Sequence, residues 1–313
     1  MEKFACKILL LIALLGIVLV ILNNRYIKTH YWKWENGIHK FENVPYEIGL
    51  ANLGSSHTQY GIRYDIVPEL QTFNFGLEAQ CYFYDYALMK QYISHFSKGA
   101  TIIIPISYFQ IDKRMGYEMT RPRYYRFMQK ELMDSWSFLD SLRYAKFPIL
   151  SAGKNIIHIF FDTPDEDPLI EKLEVRVPAE SVPIDAETLY KTYKRASPEQ
   201  GKKDYNLNLS EVYALIDFCL EHSLRPVLIT VPLTDAFNER YARIDGFSDT
   251  FYQFTTEICQ KYTPPLHYLD YSSEKSISTD YSLFHDATHL NSYGAEKFTK
   301  ILIADLKKLH LLP

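Results

Sequence analysis

The sequence predicts an α/β protein: a three-layer sandwich with one central parallel sheet of about five strands. Three observations carry that reading. Continuous apolar, β-branched runs recur, the clearest at 100–106 (Ala-Thr-Ile-Ile-Ile-Pro-Ile), and strands buried on both faces have that composition. Between the runs lie segments whose apolar residues repeat at helical spacing. Strands alternating with helices build a parallel sheet with helices on both faces. With 313 residues, 47% of them apolar, the chain can fill one sizeable core and still carry an insertion.

The first element is an unbroken apolar run over 8–22. At about 1.5 Å per residue it reaches roughly 22 Å, short of a hydrocarbon core of about 30 Å. Adding Phe4 to Cys6, a snorkelling Lys7, and Tyr26, Tyr31, Trp32 and Trp34 as far-side interface aromatics makes up the span. A cleaved signal peptide competes with this reading, but the residues after the run (Val-Ile-Leu-Asn-Asn-Arg) lack a small-x-small cleavage pattern. The expected organisation is a retained single-pass anchor over 1–26, a linker over 27–45 and a domain over 46–313. Lys3 and Lys7 precede the span while Arg25, Lys28, Lys33 and Lys40 follow it, so the charge count leans against placing the domain outside.

From Tyr46 the strands and helices follow in turn. Strands are expected at 46–53, ending in Gly54-Ser55-Ser56, at 71–75, ending at Gly76, and at 100–106, 226–231 and 266–270. Helices are expected at 77–96, from a cap at Ser210 through Leu220, at 246–262 and at 291–309. The stretch 112–208 breaks the rhythm and reads as an insertion after the third strand, a lid or a docking subdomain. It contains an acidic turn-rich loop at 162–168 and a basic stretch (Lys113, Arg114, Arg121, Arg123, Arg126, Lys130) that reads as a solvated face.

Composition excludes some classes. A net charge of -4 gives no footprint for nucleic acid. Cys6, Cys81, Cys219 and Cys259 have no metal-ligand spacing and read as free thiols, buried in the case of the last three. No metal or other cofactor is expected. The 25 Tyr and 19 Phe fit ordinary packing, with stacking on sugar rings as the sharper alternative.

The chemistry concentrates at two places. Ser56 ends the first strand, and Asp286 precedes His289 by three residues just before the last helix. A serine hydroxyl needs a base to become a nucleophile, and a histidine needs a carboxylate to fix its tautomer. The expected roles are Ser56 as nucleophile, His289 as base and then acid, and Asp286 as orienter. The backbone N–H groups of Ser56 and Gly76 are the expected oxyanion donors. The plainer alternatives are a simple turn at Gly54-Ser55-Ser56 and capping of the last helix by Asp286 or Thr288. His57 reads as a neighbour pointing away from Ser56 on an extended chain, with an alternative base as the other option. His285 reads as a surface or supporting residue.

These blocks resemble the SGNH (GDSL-type) hydrolase superfamily over about 46–309, the insertion excluded. Gly54-Ser55-Ser56 is similar to its first block, with Ser55 where Asp is usual, and Gly76 to its second-block glycine. Asp286-x-x-His289 with Leu290-Asn291-x-x-Gly294-Ala295 is similar to its last block. The third block departs: where the family has Gly-x-Asn-Asp, this chain has Pro105-Ile106-Ser107-Tyr108-Phe109. Ser107 would then stand in for the missing oxyanion asparagine. The same departure resembles membrane-anchored members that act in D-alanylation of lipoteichoic acid or O-acetylation of exported polysaccharides. That resemblance implies a domain outside the cytoplasmic membrane, beside a multi-spanning O-acyltransferase, acting on acyl groups of a cell-surface glycan or teichoic-acid-like polymer. A non-catalytic scaffold binding such a partner or glycan is the second reading, and a secreted lipase the third.

Overall fold

The computed structural model of the protein describes residues 2–111, 117–162, 178–192 and 197–312. Its chain divides into two units, one of Met1–Asn43 with Glu118–Leu169, the other of Val44–Tyr117 with Ile170–Pro313.

The first unit begins with helix α1, Glu2–Tyr26. Its large apolar side chains from Phe4 to Ile21 are exposed, Leu19 excepted. Its last turns are different. Leu19, Leu22 and Tyr26 pack with Trp32, Ile149, Ala152 and Ile159. Asn23 is buried, its Nδ2 donating to the Lys146 carbonyl at 3.0 Å and its Oδ1 accepting from the Ile149 N–H at 3.4 Å. Two expectations change here. Tyr26, only 2% exposed, is a core residue of this unit rather than an interface aromatic. The basic stretch is not simply a solvated face: Arg121 forks onto Asp134, and Arg126 lies 4.0 Å over the Trp32 ring while donating to its carbonyl. Lys113 and Arg114 lie outside the described residues, as does the acidic loop apart from Asp162, whose carboxylate accepts from the N–H groups of His30 and Tyr31.

The second unit holds a five-stranded sheet of β1 (Ile48–Asn52), β2 (Thr72–Asn74), β3 (Phe96–Pro105), β4 (Arg225–Thr230) and β5 (Tyr268–Asp270). Every pairing is parallel, in the order β2-β1-β3-β4-β5. Ile102, Ile103 and Ile104 of β3 are all fully buried, so both faces of the sheet are covered. On one face Leu50, Ile103, Val227 and Ile229 pack with side chains of the closing helix. The helices that matter for the site are α2 (Ser56–Gly61), α3 (Tyr82–Tyr92), α4 (Val182–Thr192), α5 (Pro198–Glu221), α6 (Asp235–Tyr241), α7 (Phe247–Gln260) and α8 (Ser292–Lys308). The α/β sandwich the sequence predicted is present.

Its boundaries move where tertiary contacts decide them. Residues 77–81 stay out of helix α3, because Gln80 is buried with its amide on the Phe75 carbonyl and the Asp85 carboxylate. Helix α5 starts at Pro198, not at Ser210: Ser197 accepts from the Gln200 N–H as its cap, with Pro198 in the first turn. Ser210 lies mid-helix and its hydroxyl donates to the Leu207 carbonyl.

Candidate active site

Strand β1 runs into Leu53-Gly54-Ser55-Ser56 at its carboxyl end, the side of a parallel sheet where ligands bind. Gly54 sits at φ +104, and a Cβ there would come within 2.1 Å of Pro105 Cγ. Only glycine fits. Its N–H donates to Asp85 Oδ1 at 2.8 Å, so a buried carboxylate on α3 fixes the bend from behind. Asp85 Oδ1 also accepts from Gln80, while its Oδ2 has no hydrogen-bond partner among the described residues. Burial pushes the Asp85 carboxyl up to about 7, against the lowering effect of the Gly54 and Gln80 hydrogen bonds and with a further push from the charge of Glu211.

The chain then turns directly into α2, which Ser56 opens. Among the described residues the Ser56 N–H has no acceptor, as expected for the first N–H of a helix. Asn74, at the end of β2, ties the far end of α2 down: its Nδ2 donates to the carbonyls of Thr58, Gln59 and Ile62.

The Asp286–His289 loop is held at three points. Asn291 caps α8, accepting from the N–H groups of Tyr293 and Gly294 and donating to the carbonyls of Ser282 and Phe284. Asp185 of α4 accepts from the Ala287 N–H at 2.8 Å, and Thr234 donates to the Ala287 carbonyl at 2.7 Å. The helix cap therefore belongs to Asn291, not to Asp286 or Thr288. That leaves the Asp286 carboxylate for the loop itself: Oδ1 accepts from the N–H groups of Thr288 and His289, and Oδ2 lies 2.8 Å from His289 Nδ1. Burial opposes ionisation of Asp286, but the hydrogen bond and charge of His289 and the two backbone donors outweigh it and hold the carboxyl well below the usual range.

Across the cleft His289 Nε2 lies 2.8 Å from Ser56 Oγ. With Asp286 accepting at Nδ1, that nitrogen carries the proton and Nε2 is left as the acceptor for the serine hydroxyl. The structure thus brings Ser56, His289 and Asp286 into one hydrogen-bonded line.

His57 joins them in a way strand geometry did not anticipate. Ser56 and His57 open a helix, where neighbours are about 100° apart rather than on opposite faces. The His57 ring stacks on His289, centroids 4.3 Å apart, with Phe109 on the other side at 5.2 Å. Burial, with the adjacent His289, holds His57 well below the ordinary histidine value despite the opposing pull of Asp286, so it is neutral.

The cleft beside Ser56 has a volume of about 260 Å³ and is walled by Ala79, Ser107, Phe109, Leu189 and Thr288 as well as the two imidazoles. Ser107 is at the cleft, its Oγ accepting from the Phe109 N–H at 3.2 Å. Gly76 is not in the wall. Its N–H donates to Asn74 Oδ1 at 3.0 Å, and its missing side chain makes room for Gln59, whose N a Cβ would meet at 2.9 Å. Asp85, Asn74, Asp185 and Asn291 support the site from elements far apart in sequence, and only Asn291, at the start of an expected helix, carried a local cap signal.

No family profile matches the chain, and no curated protein matches it. Among solved structures it is similar to a Bacteroides fragilis NCTC 9343 protein provisionally described as an acylhydrolase, at 10% identity and TM-score 0.43, over 88% of this chain and 95% of that one. It is also similar to a Streptococcus pneumonia protein provisionally described as a platelet activating factor, at 12% identity and TM-score 0.40, over 97% and 99%.

Proposed function

We propose that the protein is a serine esterase or O-acyltransferase of the SGNH type, with Ser56 as nucleophile. The observation that carries this is the line Ser56 Oγ, His289 Nε2, His289 Nδ1, Asp286 Oδ2, both links 2.8 Å long. In this mechanism Ser56 Oγ attacks an acyl carbonyl carbon as its proton passes to His289 Nε2. Asp286 holds the ring and stabilises the imidazolium. Collapse of the tetrahedral intermediate expels the alcohol, which takes the proton back from His289. Water, or an acceptor hydroxyl deprotonated by His289, then removes the acyl group from Ser56. The Ser56 N–H and the Ser107 hydroxyl are the donors for the oxyanion. Gly76, its N–H on Asn74, drops out of that set.

The acceptor on this reading is a cell-surface glycan or teichoic-acid-like polymer, with α1 retained as the anchor, the second unit outside the cytoplasmic membrane and a multi-spanning O-acyltransferase as partner. Retention of α1 is supported by Asn23 and Tyr26, which are built into the first unit and would be lost or exposed by cleavage near the end of the apolar run. A fluorophosphonate probe should label the wild type and fail to label Ser56→Ala. A second reading, a non-catalytic scaffold, is favoured by the thin oxyanion set. It wins if wild type neither reacts with the probe nor cleaves an aryl ester while Ser56→Ala still supports polymer modification in cells.

A further inference from the structure

Large apolar side chains of the first unit face outward beside the anchor. Leu150, Ile156, Ile157, Phe160 and Phe161 are all exposed, the two phenylalanines at 68% and 72%. They lie in 3-10 turns covering Pro148–Ser151 and Gly153–Ile159 and in the two residues that follow. Such a cluster has no reason to face water.

Its depth is fixed by what it packs on. Ile149, Ala152 and Ile159, interleaved in sequence with the exposed residues, contact Leu19, Leu22 and Tyr26 of α1. Leu19 and Leu22 belong to the apolar run over 8–22, so the segment sits level with the end of that run. Leu19 to Tyr26 spans only about 10 Å of helix, the thickness of the boundary between headgroups and acyl chains. Further bonds hold the segment there: Asn155 donates to the Tyr31 hydroxyl at 2.7 Å, and His158 stacks on the Tyr31 ring at 4.2 Å. From Leu142 to Phe161 the sequence has Arg143, Lys146 and Lys154 and no carboxylate, and all three cations are exposed.

We propose that residues 148–161 form an interfacial collar around the end of α1, seated in the headgroup–acyl boundary of a bilayer containing anionic lipid. The collar rests on the reading of α1 as a retained span and is independent of the acyl chemistry. It adds to the belt expected from Tyr26, Tyr31, Trp32 and Trp34, of which Tyr26 is buried and Trp32 is half-buried in the unit. Phe160, Phe161, Ile156 and Ile157 enter the boundary, and Arg143, Lys146 and Lys154 reach lipid phosphates. The apolar run alone is shorter than a bilayer core, and the collar adds apolar surface at the end where the helix meets the folded chain.

The test uses the full chain in vesicles of phosphatidylcholine and phosphatidylglycerol carrying a diazirine-bearing acyl chain. After irradiation, peptides covering 154–161 should carry lipid adducts at a yield comparable with the last turns of the apolar run. That yield should be severalfold above peptides holding Tyr252 and Tyr293, which are exposed in the second unit. As a second measurement, nitroxides at Ile157→Cys and Phe160→Cys in a cysteine-free background should be reached by oxygen more readily than by a water-soluble nickel chelate. Preferential access by the chelate would overturn the collar, and protection from both reagents would too, because it means protein covers the face. A nitroxide at Leu11→Cys separates the two readings. Burial in lipid there with aqueous values at 157 and 160 removes the collar alone, whereas an aqueous Leu11 removes anchor and collar together.

Discussion

The imidazole of His57 lies face to face with that of His289, ring centroids 4.3 Å apart and 18° from parallel. Held neutral by burial, His57 acts on its neighbour as a flat wall rather than as a charge. His57→Phe keeps the wall and should leave the pH profile of ester cleavage in place. His57→Ala opens one face of His289 and should lower kcat by about tenfold, a barrier change of about 1.4 kcal/mol. Steady-state kinetics of the two variants checks this.

Replacing Asp286 by Asn should lower kcat/KM by roughly three to four orders of magnitude, because the amide no longer fixes the tautomer that leaves Nε2 as acceptor. The stability effect has a defined pH sign. The folded-state carboxyl titrates below the unfolded value of about 4, so its contribution is present above that pH and is lost as the pH falls through the folded-state value. Urea melts of wild type and Asp286→Asn should therefore differ at pH 7 and converge in acid.

Asp85 has the opposite sign. The folded chain keeps its proton up to about pH 7, while the unfolded chain releases it near 4, so this stabilisation is full below about pH 4 and declines as the pH rises to about 7. Asp85→Asn keeps an acceptor for the Gly54 N–H and removes the titration, so its stability should be flatter than that of wild type between pH 5 and 8. Asp85→Ala leaves the Gly54 N–H buried without its acceptor, takes from the Gln80 amide one of its two acceptors, and should cost about 3 kcal/mol, read by denaturant melts.

Gly54→Ala meets two obstacles at once, a φ of +104 and the Pro105 ring at 2.1 Å. It should destabilise by about 3 kcal/mol or more and abolish probe labelling of Ser56. Adding Pro105→Ala removes the clash with the ring but leaves Thr58 Oγ1 at 2.9 Å and the backbone strain, so the double variant should recover only part of the loss in thermal melts.

Fold and site were legible to different degrees, for physical reasons. Residues 100–105 of β3 and 226–230 of β4 are largely apolar runs because both their faces are buried, and the sequence shows that directly. The start of α5 was hidden because Ser210-Glu211 looks like a helix cap, while the true one, Ser197-Pro198, lies in a polar stretch without periodicity. Ser56, Asp286 and His289 were readable because two of them form a local motif and the third ends a strand. Gly76 misled because a glycine after a strand reads as an open N–H, whereas the close approach of Gln59 in α2 is what excludes a side chain there. Asp85 and Asp185 reach the site only through folding, from positions with no local signature.

The hydrogen bonds of Asn23 to 146–149, with Tyr26 buried below them, mean that the hydrophobic edge of α1 is not a border of the folded structure. A version cut at Ile27 would discard two interior residues of the first unit and uncover Ile149 and Ala152, inviting aggregation where only an apolar helix was meant to be removed. Detergent or nanodisc preparations that keep the helix intact are the form in which this unit can be purified whole.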